Sequence, residues 1–397
     1  MEVKARYNSV IGTVYKPIHP ESVEVGIGPM QKGRLALARL LAPEINTGGV
    51  PAFKSLPEAY TYFTGDSDIS GFIQKGRVSQ DLRSCLDFNS SSFSYALANA
   101  LNVSLSKDYK LFPFHEEILI SEKKAVKDFR RIESVQLGYF GALPEIDPEA
   151  EDYPDIPAYV DTEAQYDLSQ KGALIWVTRR HVVDDRVDLL RAMTRRMARA
   201  ARLAHARYVW KFFIDNSNCP DGAAWFTTDH GNLGNSALDI SPLVTAISAL
   251  ANMTEPGSGE KIGLDLPSFC WWLVVPVDLW DTAVKKNQAD SYFTVNDLTT
   301  KTPNPCQKLF GEKNERIVTC PFLTDVNDWG VIRGIEDVPL VEMSYLNGKE
   351  DPELIVEAGP APLSGYAFIN EKLGYKARHE YGGAVVDYRG AYKAIVA

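Results

Sequence analysis

Near the middle of the chain, "WFTTDHGNLGN" (Trp225–Asn235) sets Asp229 beside His230, with Gly231 and Asn232 directly after. An acid next to a histidine is the raw material of a hydrolase: the carboxylate orients the imidazole, and the imidazole takes a proton from a nucleophile. That chemistry needs a nucleophile and an orienting group to converge in space, which spacing along the chain does not establish. The competing reading is a structural turn, because Gly231, Asn232, Gly234 and Asn235 all tolerate positive φ. The local context favours the turn, with Asp229 and His230 as its hydrogen-bonding residues.

Other routes to chemistry are thinner. There is no G-x-x-x-x-G-K-[ST] phosphate loop, no G-x-S-x-G elbow and no H-E-x-x-H metal motif. "GIGPMQKG" (Gly26–Gly33) has glycines but follows no clear strand and lacks the third glycine of a dinucleotide loop. The six histidines, His19, His115, His181, His205, His230 and His379, are dispersed without metal-ligand spacing. The five cysteines, Cys85, Cys219, Cys270, Cys306 and Cys320, are odd in number and form no C-x-x-C pair, a usage that suits a reducing cytoplasm. No catalytic residue, cofactor or metal is expected.

Composition narrows the class further. With 397 residues, 45% hydrophobic and 24% charged, the chain can bury a core, and its length allows about two or three domains. A formal charge of −10 argues against a nucleic-acid binder built on a basic face, though not against a protein that encloses nucleic acid without gripping it. The opening "MEVKARYNSVIGTVYK" lacks the layout of a secretory signal, and the most apolar window, Leu266–Trp280, is too short to span a bilayer. A soluble protein made in the cytoplasm, with no membrane contact, is expected.

The elements that would position the Asp229–His230 turn are a long helix before it and a capped helix after it. "DDRVDLLRAMTRRMARAARLAHARYVWKFFIDN" (Asp184–Asn216) predicts a helix of roughly thirty residues, about 45 Å long. Its acids come early and its bases later, matching the helix dipole. Leu190, Met193, Met197, Ala200, Ala201 and Ala204 make an apolar stripe, and Arg191, Arg195, Arg199 and Arg202 a charged face. That face is either solvated, paired with acids from neighbours, or a nucleic-acid surface. After the turn, Ser241 followed by Pro242 predicts a helix start.

Upstream, the first third reads as short helices on an irregular path, an arm rather than a compact domain. They are Gly33–Glu44, a helix capped by Ser55 with Pro57 in its first turn and ending at Gly65-Asp66, and Ser91–Tyr109. Alternation at Val135, Leu137 and Tyr139, and again at Ala173, Ile175 and Val177, predicts two strands separated by a long excursion. The excursion carries Pro144, Pro148, Pro154 and Pro157 and the acids Glu145, Asp147, Glu149, Glu151, Asp152 and Asp155. It reads either as a solvated loop or as a projecting hairpin that reaches a neighbouring molecule. Downstream, Phe269–Pro276 predicts a buried strand followed by a short helix. Arg316–Leu323 and Trp329–Gly334 predict strands joined by a turn. Leu340–Ala358 predicts a hairpin bent at Asn347-Gly348, and Gly374–Ala397 a strand region broken at Gly382-Gly383. The sum is an α+β chain.

The order of these segments resembles a known family. Val126–Tyr153, Tyr166–Trp210, Trp225–Gly234 ("WFTTDHGNLG"), Trp271–Ala283 ("WWLVVPVDLWDTA"), Val341–Val356 ("VEMSYLNGKEDPELIV") and Tyr375–Lys393 ("YKARHEYGGAVVDYRGAYK") together resemble the major capsid proteins of tailed bacteriophages, of the Hong Kong 97-type capsid fold and its Mu-like head-subunit family. The resemblance runs from about Ser55 to Lys393 and rests on the collinear series, not on any one motif.

It implies an N-terminal arm with leading short helices over residues 1–128 and an extended loop hairpin over 129–178. A peripheral domain with a spine helix would cover 179–240, an axial domain 241–364, and strands returning to the peripheral domain 365–397. The acidic excursion would be the inter-subunit loop, lying across an adjacent subunit. The resemblance further implies self-assembly as hexamers and pentamers into an icosahedral shell that encloses double-stranded DNA without sequence-specific binding. The shell would be made in the host cytoplasm with a portal, scaffold or protease, and possibly a cement protein. One departure matters: no lysine or asparagine lies between Arg131 and Gln170, which argues against shells sealed by lysine–asparagine bonds from this loop. The resemblance leaves open whether Met1–Pro51 is a processed remnant or part of the arm. The alternatives are an encapsulin-type compartment, which shares the fold and holds enzymes, and a hydrolase using Asp229 and His230.

Overall fold

The computed structural model describes residues 28–46, 48–65, 91–137, 160–254, 259, 261–262, 271–294, 297–333, 339–356 and 372–396. They form an α+β protein that divides into two compact units, each described by itself below. The first takes in Met1–Ala100, Thr178–Val187 and Ala358–Lys372, and the second Leu101–Val177, Asp188–Glu357 and Leu373–Ala397.

The described part of the first unit is helical: α1 (Pro29–Leu41), α2 (Leu56–Thr64), the opening half of α3 (Ser91–Tyr109) and the short α4 (Arg179–Val183). The predicted caps of α2 form. The Ser55 hydroxyl accepts the Glu58 N–H at 3.3 Å, Pro57 stands in the first turn, and Gly65 closes the helix at φ 72°. Asp185 adds a second cap, accepting the Leu56 N–H at 2.7 Å. Leu37, Leu56, Ala59, Phe63, Phe93 and Leu97 are buried, and Phe63 meets Phe53 and Phe93 ring to ring. These segments therefore pack into a compact body, where the sequence suggested an irregular path.

The second unit holds two five-stranded sheets. One has the order β5 (Leu233–Gly234), β14 (Ala391–Ala394), β10 (Trp329–Ile332), β6 (Trp272–Val275), β9 (Ile317–Thr319). Both of its faces are covered, and alternate residues divide between two cores. Val274, Val318, Ile332 and Ala391 face a cluster built around Trp210, Phe213, Trp225 and Phe226. Leu273, Val275, Ile317, Val331 and Tyr392 face another, built with Leu243, Ile247 and Leu250 of α6 (Ile240–Ala251), Ala283 of α7 (Trp280–Gln288) and Phe310. Burial on both faces is why the β6 stretch reads as an unbroken apolar run.

The other sheet runs β1 (Ile120–Val126), β11 (Val341–Leu346), β13 (Lys372–Val385), β12 (Glu353–Val356), with β4 (Ser169–Thr178) also pairing with β13. The long helix α5 (Val187–Ile214) spans 28 residues, about 42 Å, and puts Trp210 and Phe213 into the first core. Two separate strand pairs complete the unit: β2 (Ile132–Leu137) with β3 (Val160–Tyr166), and β7 (Ser291–Thr294) with β8 (Asp297–Pro303).

Several sequence expectations change here. The strand at β2 pairs not with β4 but with β3, which the sequence reading passed over. The strands β9 and β10 do not form a hairpin, because β6 lies between them. The segments around Asn347-Gly348 are both partners of β13 rather than arms of one hairpin: Val341–Tyr345 opposes Val385–Tyr381, and Glu353–Val356 opposes Arg378–Tyr375. Gly382-Gly383 does not break β13. A Cβ at Gly382 would stand 2.4 Å from the Asp167 carbonyl oxygen, and one at Gly383 2.5 Å from that of Glu342, so glycine lets neighbouring backbones close in.

The long helix begins at Val187, after Asp185 takes φ 50°, so Asp184 and Asp185 lie outside it. Its buried side carries Leu190, Thr194, Ala198, His205, Val209 and Phe213, one row over from the predicted stripe. The helix after the turn is capped by Asp239 rather than Ser241. The acidic excursion, Pro144–Pro157 with Glu145, Asp147, Glu149, Glu151, Asp152 and Asp155, lies outside the described residues.

Candidate functional site

The Asp229–Asn232 stretch is a turn, with Gly231 at φ 68°. Asp229 and His230 are neighbours in sequence without forming a dyad. Asp229 points to solvent, and the carboxylate that meets the imidazole is Asp221, 2.8 Å from His230 Nε2. Nδ1 of the same ring faces the Trp225 carbonyl at 3.1 Å, and the ring stacks on Tyr388 with centroids 3.8 Å apart. Both ring nitrogens are thus occupied by structural partners.

Asn232 is the centre of this knot and is fully buried. Its amide nitrogen donates to the carbonyls of Trp225 (2.8 Å), Tyr388 (3.3 Å) and Ala391 (3.3 Å), and its side-chain oxygen accepts the Thr227 N–H at 3.1 Å. Its own carbonyl accepts the Lys393 N–H at 3.0 Å. One amide therefore ties the Trp225–Thr227 segment, which follows the long helix, to β14 and the residues just before it. From β14, Lys393 reaches back to the last carbonyls of that helix, with Nζ 3.1 Å from the Ile214 oxygen.

No described thiol is set up as a nucleophile. Burial pushes Cys306 and Cys320 up to about 11 and Cys219 higher still, the reverse of what an attacking thiolate needs. Among the described residues no group of three or more His, Cys, Asp or Glu could hold a metal ion, and no helix is long and apolar enough to cross a membrane.

The four arginines of the predicted charged face separate. Arg195 and Arg199 are exposed, as is Arg196, and Arg191 pairs with Asp188 at 3.4 Å on the same row. Arg202 is only 12% exposed and turns inward. It contacts Glu116 at 2.8 Å and Glu117 at 3.1 Å, donates to the Phe112 carbonyl at 3.2 Å, and lies over the Tyr109 ring. Its described partners lie between Tyr109 and Glu117 of the same chain. Counting four at a time from Leu190 through Thr194 and Ala198 reaches Arg202, so helical periodicity carried the signal for its burial.

Around Arg202 stands a buried polar chain that sequence reading missed. Glu116 also contacts His205 Nδ1 at 3.1 Å, and His205 Nε2 meets the Tyr345 hydroxyl at 2.9 Å. The His379 ring stacks against His205 and donates through Nε2 to the Glu350 carbonyl at 2.9 Å, leaving Nδ1 without a hydrogen-bond partner. Burial, then the neighbouring His205, holds His379 down to about 4. A shallow cleft of about 190 Å³ opens beside this chain, lined by Lys110, Lys123, Glu350 and Asp351 among others. Lys110 already faces Asp351 at 3.4 Å and Lys123 faces Glu350 at 2.6 Å. The cleft's charges are thus paired with each other.

The geometry is therefore that of a body braced by buried polar ties, with no assembled reaction centre in the described residues. The profile of the family described as phage capsid protein matches residues 162–394, more than half of the chain, and the chain belongs to that family. Its role is that of a phage capsid protein, a structural component of the virion. No curated protein matches the chain.

Solved structures that resemble it include the capsid of a native GTA particle, with 13% identity, TM-score 0.46, and coverage of 72% of this chain and 91% of that one. Another is from Mycobacterium phage Patience, with 14% identity, TM-score 0.43, and coverage of 76% and 88%. A third is the holo-SrpI encapsulin complex from Synechococcus elongatus PCC 7942, with 10% identity, TM-score 0.41, and coverage of 72% and 87%.

Proposed function

We propose that the chain is the head subunit of a tailed, double-stranded DNA bacteriophage, of the Hong Kong 97-type and its Mu-like branch, and that it assembles as hexamers and pentamers into an icosahedral shell around the genome. The observation that carries this reading is the family match over residues 162–394. In it, residues 1–128 serve as arm and leading helices, 129–178 as the extended loop, 179–240 as the peripheral domain, 241–364 as the axial domain and 365–397 as returning strands. Closure of the shell multiplies modest contacts between copies into large overall stability.

Charge supports one of those contacts. Arg195, Arg196 and Arg199 present an exposed basic row on the long helix, and residues 144–157 hold six acids. The acidic segment of one copy would lie on the basic row of the next. Assembly takes place in the host cytoplasm with a portal, a scaffold or a protease, and either such non-covalent contacts or a separate cement protein hold the shell against internal pressure.

Electron microscopy of the purified full chain tests the reading. Closed shells, hexamers or pentamers are expected, and a chain that stays monomeric under all conditions overturns it. Genome-length DNA inside native particles supports the phage head, whereas enzyme cargo supports an encapsulin-type compartment. Deleting residues 144–157 should leave the subunit folded and block assembly; normal shells from that variant would remove the loop from the contact.

A further inference from the structure

The pair β2–β3 stands apart from both sheets, yet its strands are joined to the sheet strands β1 and β4 by short connections, Lys127–Arg131 and Asp167–Leu168. Residues 138–159, the acidic excursion, leave and return through this pair. An isolated two-stranded pair is marginal in water and needs something to lie on. Its outer face is exposed at Glu133, Val135, Glu163 and Gln165, whereas Ser134, Ala164 and Tyr166 are buried.

What the inner face meets is a carboxylate. Glu342, on β11, is 1% exposed. Its Oε2 accepts from Ser134 of β2 at 2.6 Å and from Lys124 of β1 at 2.7 Å, and its Oε1 accepts from the Tyr166 hydroxyl of β3. Lys124 also donates to the Ser134 hydroxyl at 2.9 Å, and Tyr166 meets Ser344 at 2.7 Å. One buried charge thus collects a donor from each strand of the pair and one from the sheet. Hydrogen bonds to a buried charge are stronger and more directional than apolar contact, and they are costly to leave half made.

We propose that Glu342 is a positioning residue for the β2–β3 pair, a latch that fixes which face of the pair lies on the sheet and so the direction in which residues 138–159 depart. Its use in assembly rests on the proposed role of that segment as a contact between copies; the latch itself does not.

Amide hydrogen exchange on the full chain tests it, comparing Glu342→Gln and Tyr166→Phe with the exposed control Glu163→Gln. The first two should speed exchange across Ile132–Leu137 and Val160–Tyr166 by about tenfold or more, with β10 and β14 unchanged, and the control should match wild type. Tyr166→Phe, one hydroxyl fewer, serves where Glu342→Gln does not fold. Unchanged exchange in the pair overturns the latch, as does an equal rise in β10 and β14, which would report general destabilisation. Exchange that rises in the pair alone while shells still form at wild-type yield upholds the latch and overturns the loop's role between copies.

Discussion

At Arg202 and His205 the long helix carries ionisable groups into the interior, whereas beyond its C-terminal end the chain is tied by a neutral amide, Asn232. Both centres join segments far apart in sequence: His205 on the helix meets Tyr345 on β11 at 2.9 Å, and Asn232 meets Ala391 on β14 at 3.3 Å. The first does so with ionisable groups: Glu116, fully buried, meets Arg202 at 2.8 Å and His205 at 3.1 Å through Oε1, while its Oε2 has no hydrogen-bond partner. The second uses a side chain whose donors and acceptor all face backbone groups. An ionic centre is strong only while complete, because a lost partner strands a charge in a poor solvent. A neutral tie loses only its own hydrogen bonds and the groups it leaves unsatisfied. The two centres should therefore fail differently.

The largest effect is expected at Glu116. Replacing it by Ala leaves Arg202 and His205 without their shared carboxylate and should cost about 3–5 kcal/mol in urea unfolding. Replacing Arg202 and Glu116 together should cost less than the two single changes added. A loss below about 1 kcal/mol for Glu116→Ala would show that the ionic centre is not what holds the helix there.

Acid should weaken the same centre through His379. Its folded value, about 4, lies below the 6.5 of an unfolded histidine, so the unfolded chain binds the extra proton first. The stability of the neutral form is fully present above pH 6.5 and is lost as the pH falls from there towards 4, by an amount on the order of 3 kcal/mol. Burial opposes the charge first, His205 and Lys171 add to that, and the Glu350 carbonyl and Asp351 favour it. Chemical unfolding across this pH range should show the loss in wild type and a flatter profile in His379→Phe. Equal slopes would remove His379 from the acid response.

The contrast also explains what could be read from sequence. The caps at Ser55 and Gly65, the span Ser91–Tyr109 and the long helix all follow from residues within a turn or two of each other, and all were legible. The strand partners were not, because pairing is decided by residues that meet across the chain. The strand β3 carries a plain two-residue alternation, with Glu163 and Gln165 outside and Ala164 and Tyr166 inside, but its polar outer face hid it inside an acidic stretch. Asn232 was legible as a turn residue. Its contacts at Tyr388 and Ala391 lie more than 150 positions away and give no local sign. The ionic centre was least visible, since Glu116, Arg202 and His379 lie far apart in sequence and only the periodicity of the long helix marks Arg202.

At the neutral tie, Asn232→Ala should cost about 2 kcal/mol, from lost hydrogen bonds and buried carbonyls left short of a donor. The loss should be independent of pH between 5 and 8, unlike that of the ionic centre. Thermal unfolding at two pH values checks both the size and the flatness.

The smallest effect belongs to the residue that first suggested chemistry. Asp229 is exposed, and the histidine beside it is held by Asp221, Trp225 and Tyr388. Asp229→Ala should therefore change stability by no more than about 0.5 kcal/mol, as surface substitutions do. Asp221→Ala, which strips the imidazole of a partner at 2.8 Å, should cost about 1 kcal/mol. If Asp229→Ala proves the more damaging of the two in the same unfolding experiment, the pair adjacent in sequence is the working unit after all. The expected order instead places the working pair nine residues apart, across a loop that returns to meet the ring.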